Sequence, residues 1–173
     1  MPKPRVFKAG DLVNWRKRQL LKRALGDAGA FETMLDLPCG DGRFWPVYKD
    51  QGVASLVAAE VSKGMLDVAS ENRLALDFPA RLMLTSPFDI DMEDGSVEFA
   101  ACIDFYQHLA RAEDQKKLLS ELERVTRRSL VLSAYTGSNL EAQLTHSGFG
   151  IERFYDFCPG ISPWRLYLLR KQR

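Results

Sequence analysis

The sequence has few of the side chains that most often bind metals or form disulfides, with three cysteines and two histidines among 173 residues. Cys39, Cys102 and Cys158 are too few and too far apart for a disulfide framework, and no CxxC pair indicates zinc. We therefore expect no metal site and a reducing, cytoplasmic location. A run of about 18 apolar residues is also absent, and the basic start lacks the apolar stretch of a secretion signal. We expect neither standard export nor a membrane-spanning helix.

An excess of charge of one sign is missing too, because 24 Lys and Arg residues face 23 Asp and Glu residues. Such a balance gives no general attraction to nucleic acid or to an anionic membrane, so neither is expected as a partner. The length and the 46% hydrophobic content suit one domain with one sizeable core. No repeat or linker divides residues 1–173.

What the sequence does contain is an alternation of strand and helix patterns. Apolar segments predict strands at residues 33–37, 55–60, 81–84, 97–103, 129–135, 151–157 and 165–169. Helices are predicted at 11–25, from near 43, at 63–72, at 113–126 and at 140–147. The order predicts an α/β fold with a mostly parallel sheet, helices on both faces and an antiparallel hairpin at the C-terminal end.

Two of these helices carry specific expectations. In the first, Gly26 and Gly29 are expected to end the helix. In the third, Ser62 is expected to cap the N-terminus. The apolar faces are predicted to consist of Leu12, Trp15, Leu20 and Leu21 in the first helix, and of Met65, Leu66 and Ala69 in the third.

A glycine-containing turn follows the first strand, in residues 36–42 (DLPCGDG). Gly40 and Gly42 allow a ligand to approach the backbone closely. Glu60 ends the second strand, 18 residues after Gly42. At about that distance an acidic side chain can accept hydrogen bonds from the hydroxyls of a ribose. Because the carboxyl ends of parallel strands meet at one edge, this pairing predicts a nucleoside site.

Three segments resemble motifs of the class I S-adenosylmethionine-dependent methyltransferases, in the branch that methylates small molecules. Residues 35–43 (LDLPCGDGR) are similar to the first motif and residues 59–65 (AEVSKGM) to the second. Residues 93–100 (EDGSVEFA), followed by His108 and Leu109, resemble the region around the fourth strand. The resemblance spans residues 33–135 in the family's order. It implies a three-layer sandwich with a seven-stranded Rossmann-like sheet, in which residues 1–30 form a basic N-terminal helix and residues 31–173 the core.

The resemblance also implies S-adenosylmethionine as cofactor, S-adenosylhomocysteine as product, and a set of cofactor-binding positions. Asp36, Gly40 and Gly42 would hold the methionine end, and Glu60 the ribose. The adenine would lie against Val61, Met65, Ser86, Pro87 and Phe88, and Pro38 and Ile103 complete the set. Two residues depart from the family pattern. Pro38 replaces a glycine and removes a backbone N–H, and Ser86 stands where an acid is more usual.

His108 is the candidate general base, needed only if the acceptor loses a proton during transfer. An ordinary packing or hydrogen-bonded role for His108 stays equally open, and Asp104 and Tyr106 are alternative residues of an acceptor pocket. The basic residues of the first helix, Arg16, Lys17, Arg18, Lys22 and Arg23, suit an ordinary solvated face or a cover that attracts a phosphorylated or carboxylated acceptor. Trp164 suits core packing or the pocket rim. Residues 136–148 are short for a substrate lid.

The sequence thus predicts methyl transfer to an oxygen or nitrogen of a small-molecule acceptor, with an anionic acceptor as one option. An RNA or protein methyltransferase, and a cofactor-binding regulatory or scaffold protein without turnover, are the alternatives. A nicotinamide dehydrogenase is disfavoured because the turn reads PCGDG rather than GxGxxG. Either a monomer or a homodimer is compatible with the sequence.

Overall fold

The computed structural model describes residues 9–137 and 139–172, so residues 1–8 of the predicted N-terminal segment, Ser138 and Arg173 lie outside the description. The helices are α1 (Ala9–Ala28), α2 (Trp45–Asp50), α3 (Lys63–Leu76), α4 (Ala112–Val125) and α5 (Leu140–His146). The strands are β1 (Thr33–Asp36), β2 (Ser55–Glu60), β3 (Ala80–Leu84), β4 (Val97–Cys102), β5 (Thr126–Tyr135), β6 (Phe149–Asp156) and β7 (Trp164–Lys171). A 3₁₀ turn, Tyr106–His108, follows β4. Each predicted strand and helix is present, with boundaries moved by a few residues.

The seven strands form one sheet in the order β3-β2-β1-β4-β5-β7-β6. β1 lies inside the sheet, where Met34 pairs with Leu56 of β2 and Phe99 of β4. β7 runs antiparallel to both of its neighbours, β5 and β6, whereas the pairs among β3, β2, β1, β4 and β5 are parallel. The predicted α/β fold with a mostly parallel sheet and an antiparallel C-terminal hairpin is confirmed.

Helices cover both faces of the sheet and create two hydrophobic clusters. α1, α2 and α3 contribute Leu21, Trp45 and Leu66 to the first cluster. α4 and α5 contribute Leu122 and Leu144 to the second. The three layers follow from strands that are apolar on both sides, as expected for a parallel sheet. None of the described helices is long and apolar enough to cross a membrane.

The first helix departs from its predicted limits and face. Gly26 does not end α1, which continues to Ala28. Leu20 and Leu21 are buried as predicted, whereas Leu12 and Trp15 are 61% and 53% exposed. The physical reason is that the buried stripe continues C-terminally through Ala24, Leu25 and Ala28, which leaves the first turns outside the core.

The helices that follow the first two strands also refine the sequence predictions. α2 begins at Trp45 rather than near residue 43, because the chain first makes a turn in which the Trp45 N–H donates to the Gly42 carbonyl. Ser62 caps α3 as predicted, with its Oγ accepting from the Met65 N–H at 3.3 Å. On α3 Leu66 and Ala69 are buried, but Met65 is 39% exposed and does not belong to the buried face.

Candidate functional site

Five neighbouring parallel strands end at one edge of the sheet and place polar groups there. β1 ends at Asp36 and β2 at Glu60, while Thr85 and Asp104 follow β3 and β4 closely. Tyr135 ends β5 and is half exposed. In sheets of this type ligands bind outside the carboxyl ends of the strands, so this edge is the candidate site.

The two glycines of the turn after β1 serve different purposes. Both have positive φ, +56° at Gly40 and +79° at Gly42. A Cβ on Gly42 would lie 2.6 Å from the ring of Trp45, so this glycine is required for packing. A Cβ on Gly40 would meet only the Met65 Cε at 3.9 Å. The backbone at Gly40 is therefore the open part of the turn, with Met65 beside it.

Glu60 joins the glycine turn to the start of α3. Its Oε2 accepts from the Gly40 N–H at 3.1 Å, and its Oε1 accepts from the Val61 and Ser62 N–H groups at 2.9 and 3.1 Å. An ionised carboxylate has about four acceptor positions, so three backbone donors leave room for a ligand hydroxyl. Glu60 is only 6% exposed, whereas the neighbouring Val61 is 60% exposed and free to contact a ligand.

Asp36 points into the protein interior. Its Oδ2 accepts from the Trp45 indole at 3.0 Å and its Oδ1 accepts from the Tyr48 hydroxyl at 3.2 Å. Burial raises the pKa of Asp36 to about 7, and the hydrogen bonds from Trp45 and Tyr48 reduce this rise only in part. The carboxyl group is thus engaged in fixing α2 under the turn, and any contact with a ligand would add to that role.

The segment after β3 lies next to Glu60. The Thr85 N–H donates to the Glu60 carbonyl at 3.0 Å, and the Ser86 Oγ accepts from the Phe88 N–H at 3.1 Å. Ser86 and Phe88 are partly exposed, whereas Pro87 is buried. Ile103, directly after β4, is also buried. Ser86 and Phe88 therefore lie where the sequence places the adenine side of the site.

Pro38 fits the turn without a backbone donor of its own. The peptide bond between Leu37 and Pro38 is cis, and the next residue, Cys39, donates its N–H to the Ala59 carbonyl at 2.9 Å. That bond ties the turn to β2. The donors that face the Glu60 carboxylate belong to Gly40, Val61 and Ser62, which follow Pro38 in the chain.

Asp104 is the centre of an ionic cluster above the sheet edge. Its carboxylate accepts from Lys17 Nζ at 2.7 Å, Arg43 Nη2 at 2.6 Å and the Trp164 indole at 2.9 Å. Gln107 Nε2 lies at 3.3 Å from the same carboxylate. Burial alone would raise the pKa of Asp104, but the hydrogen bonds from Lys17 and Trp164 outweigh it and hold the pKa below its ordinary value. Asp104 also has a positive φ of 59°.

This cluster attaches α1 to the site. Besides the contact of Lys17, Arg18 Nε donates to the Arg43 carbonyl at 3.0 Å and Arg16 Nε to the Phe157 carbonyl at 3.1 Å. The sequence alone predicts a solvated basic face on α1 or a cover that attracts an anionic acceptor. It does not predict the ion pairs with Asp104, because Lys17 and Arg43 lie 87 and 61 residues from Asp104 in the chain.

The side chain of His108 makes no hydrogen bond or ion pair at this edge of the sheet within the described residues. His108 ends the 3₁₀ turn, it is exposed, and no polar partner of its imidazole is found among residues 9–137 and 139–172. Its proposed catalytic role stays a prediction. Trp164 is 5% exposed and donates to Asp104, so it packs in the core and also borders the site.

The residues at this edge of the sheet match a known protein family. Residues 35–132, which include the glycine turn, Glu60 and Asp104, match the model of a methyltransferase domain. The chain belongs to this methyltransferase family. The family and enzyme class predicted from the sequence are thereby confirmed, while a search of curated proteins gives no match.

Solved structures agree with the methyltransferase fold. An S-adenosylmethionine-dependent methyltransferase from Clostridium acetobutylicum is 12% identical, with 92% of each chain covered and a TM-score of 0.77. Magnesium protoporphyrin IX methyltransferase from Synechocystis, crystallised with S-adenosylmethionine, is 16% identical, with 94% of this chain and 81% of that chain covered and a TM-score of 0.76. At these identities the likeness concerns the fold, and it confirms the Rossmann-like sheet of this methyltransferase.

Proposed function

We propose that this methyltransferase binds S-adenosylmethionine at the carboxyl edge of its sheet and transfers the methyl group to an oxygen or nitrogen of a small molecule. The observation that carries the proposal is the bond between the Glu60 carboxylate and the Gly40 N–H. It places an acidic acceptor group directly beside the open backbone of the glycine turn. A turn open at its backbone after the first strand, together with an acid near the second strand end, is how sheets of this type bind a nucleoside.

The residues at the edge fit this cofactor. Glu60 retains an acceptor position for a ribose hydroxyl, and Gly40 leaves its backbone open toward the methionine end. The exposed Val61 and Met65 provide apolar contact for the adenine. When bound, the sulfonium supplies an already activated methyl carbon, so the protein's task is to align the acceptor and exclude water. The attachment of α1 through Lys17 serves that exclusion.

The contacts of Asp104 and His108 bear on which residue could remove a proton from the acceptor. Asp104 is held by two cations and has a lowered pKa, so it is a poor proton acceptor near neutral pH. His108 keeps a free imidazole and is the remaining candidate base. Acceptors that need no deprotonation would bypass both groups.

The alternative, a cofactor-binding protein without turnover, is disfavoured by the match of residues 35–132 to a methyltransferase domain. Labelled S-adenosylmethionine incubated with the protein and a small-molecule extract separates the two functions, since only an enzyme forms labelled product. RNA and protein acceptors are less suited to a chain with formal charge +1. The cytoplasmic location and the choice between monomer and homodimer stay predictions.

Glu60→Ala tests the cofactor site. We expect it to weaken S-adenosylhomocysteine binding at least tenfold, about 1.4 kcal/mol, in isothermal titration calorimetry. Glu71→Ala is the matched control, because Glu71 is an exposed acid on α3 whose side chain makes no hydrogen bond or ion pair within the described residues. Equal affinities of the two variants for S-adenosylhomocysteine would remove Glu60 from the site and with it the main support for the proposal.

A further inference from the structure

A groove of about 780 Å³ runs between α4 and α5. The residues that line it and matter here, which define the α4–α5 groove, are Tyr106, Gln115, Lys116, Leu119, Asn139 and Gln143. A second cavity of about 320 Å³ shares four of them and extends to Ala134 and Tyr135 at the end of β5. The groove is therefore continuous with the edge of the sheet that carries the candidate methyl-transfer site.

Gln107 connects the groove to the ionic cluster. It lines the smaller cavity, and its Nε2 lies 3.3 Å from Asp104 Oδ1. Asp104 in turn contacts Arg43, the residue after the glycine turn, at 2.6 Å. Gln107 therefore lies between the smaller cavity and the ionic cluster.

The groove presents hydrogen-bond donors without partners. Gln143 Oε1 accepts from the Tyr106 hydroxyl at 2.8 Å, which leaves the Gln143 Nε2 with no partner in the described structure. The side chains of Lys116 and Asn139 likewise make no hydrogen bond or ion pair within residues 9–137 and 139–172. By contrast, Gln115 Nε2 is used by the Leu109 carbonyl at 2.9 Å. The donors without a partner are thus Lys116 Nζ, Gln143 Nε2 and Asn139 Nδ2, while Asn139 Oδ1 is an acceptor without a partner.

The charge and the apolar surface of the groove further restrict the chemical class of ligand that fits it. Neither cavity is lined by Asp or Glu, whereas Lys116 adds a positive charge. Burial raises the pKa of Tyr106 to about 12, so its hydroxyl stays a donor to Gln143 at neutral pH. Leu119 gives the groove an apolar wall. An anionic group on a compact apolar body complements such a surface.

We infer that the α4–α5 groove binds the methyl acceptor as a small organic acid. Its carboxylate contacts Lys116 and Gln143, and its methyl-accepting end lies in the smaller cavity beside Gln107, the residue that contacts Asp104. The inference rests on the proposed methyl transfer for the identity of the ligand as acceptor. The carboxylate preference of the groove can be measured without any turnover.

The test uses matched acid and amide probes with the full chain. We expect 4-hydroxybenzoate and hexanoate to shift the backbone amide signals of α4 and α5 in ¹⁵N NMR titrations with millimolar dissociation constants. The neutral probes 4-hydroxybenzamide and hexanamide should bind several-fold more weakly, because they lack the negative charge that pairs with Lys116.

Three variants decide where the preference arises. Lys116→Gln should abolish the preference for acids, and Lys117→Gln, its exposed neighbour outside the groove, should keep it. Gln143→Glu retains an acceptor for the Tyr106 hydroxyl but replaces the free donor with negative charge, so it should weaken acid binding about tenfold. Absence of shifts in α4 and α5 with either acid, or an acid preference that survives in Lys116→Gln, would overturn the inference.

S-adenosylhomocysteine is titrated into the same samples to separate this inference from the proposed function. Affinity for S-adenosylhomocysteine without acid binding in the groove would refute the groove assignment alone. Acid binding without affinity for S-adenosylhomocysteine would instead refute the cofactor proposal and show that the groove binds an acid other than a methyl acceptor.

Discussion

The buried carboxyl of Asp36 should make the stability of this protein fall as the pH rises from 4 to 8. Burial raises its pKa from the ordinary 3.8 to about 7 in the folded protein. A carboxyl whose pKa is higher in the folded than in the unfolded state binds a proton on folding. Its contribution to stability is therefore fully present below about pH 4 and is lost as the pH rises through about 7.

The magnitude follows from the size of the shift. A difference of about three pKa units, at about 1.4 kcal/mol each, corresponds to about 4 kcal/mol of unfolding free energy. Asp36→Asn removes the titration and keeps both contacts. The amide oxygen can accept from the Trp45 indole and the amide nitrogen can donate to the Tyr48 hydroxyl oxygen.

Urea unfolding of both proteins at a series of pH values measures the effect. The free energy of unfolding of the wild type relative to Asp36→Asn should decrease by about 4 kcal/mol between pH 4 and pH 8. Carboxylates with lowered pKa, such as Asp104 and Glu121, titrate in both proteins and cancel in the difference. Two stability curves that stay parallel over this range would refute the assignment of a raised pKa to Asp36.

Two further substitutions test the turn and the cover. Gly42→Ala should lower the free energy of unfolding by about 3 kcal/mol, because the new Cβ meets the Trp45 indole ring at 2.6 Å. Gly52 has a similar φ but open space around it, so Gly52→Ala should lower the free energy of unfolding by only about 1 kcal/mol. Equal losses of stability in thermal unfolding would refute the clash. Lys17→Met should lower the free energy of unfolding by about 2 kcal/mol, because it removes two hydrogen bonds to Asp104. Lys22 is exposed, so Lys22→Met should change the stability little. The same melting temperature for both variants would show that the ion pair does not hold α1.

The candidate site was predictable where it depends on local order along the chain. Asp36, Gly40 and Glu60 follow directly from strand ends, because parallel neighbours bring their carboxyl ends to one edge. The Ser62 cap of α3 was predictable for the same reason, since a cap acts on residues within one turn.

The sequence by itself determined the layered α/β fold, the methyltransferase family and the glycine turn beside Glu60. Periodicity and turn residues act over a few positions and can be identified without coordinates. Only the tertiary structure decided that Asp36 faces inward and that α1 is joined to Asp104. The α4–α5 groove, too, exists only once the two helices pack on the sheet. These features depend on side chains that lie far apart in sequence and meet only when helices pack on the sheet.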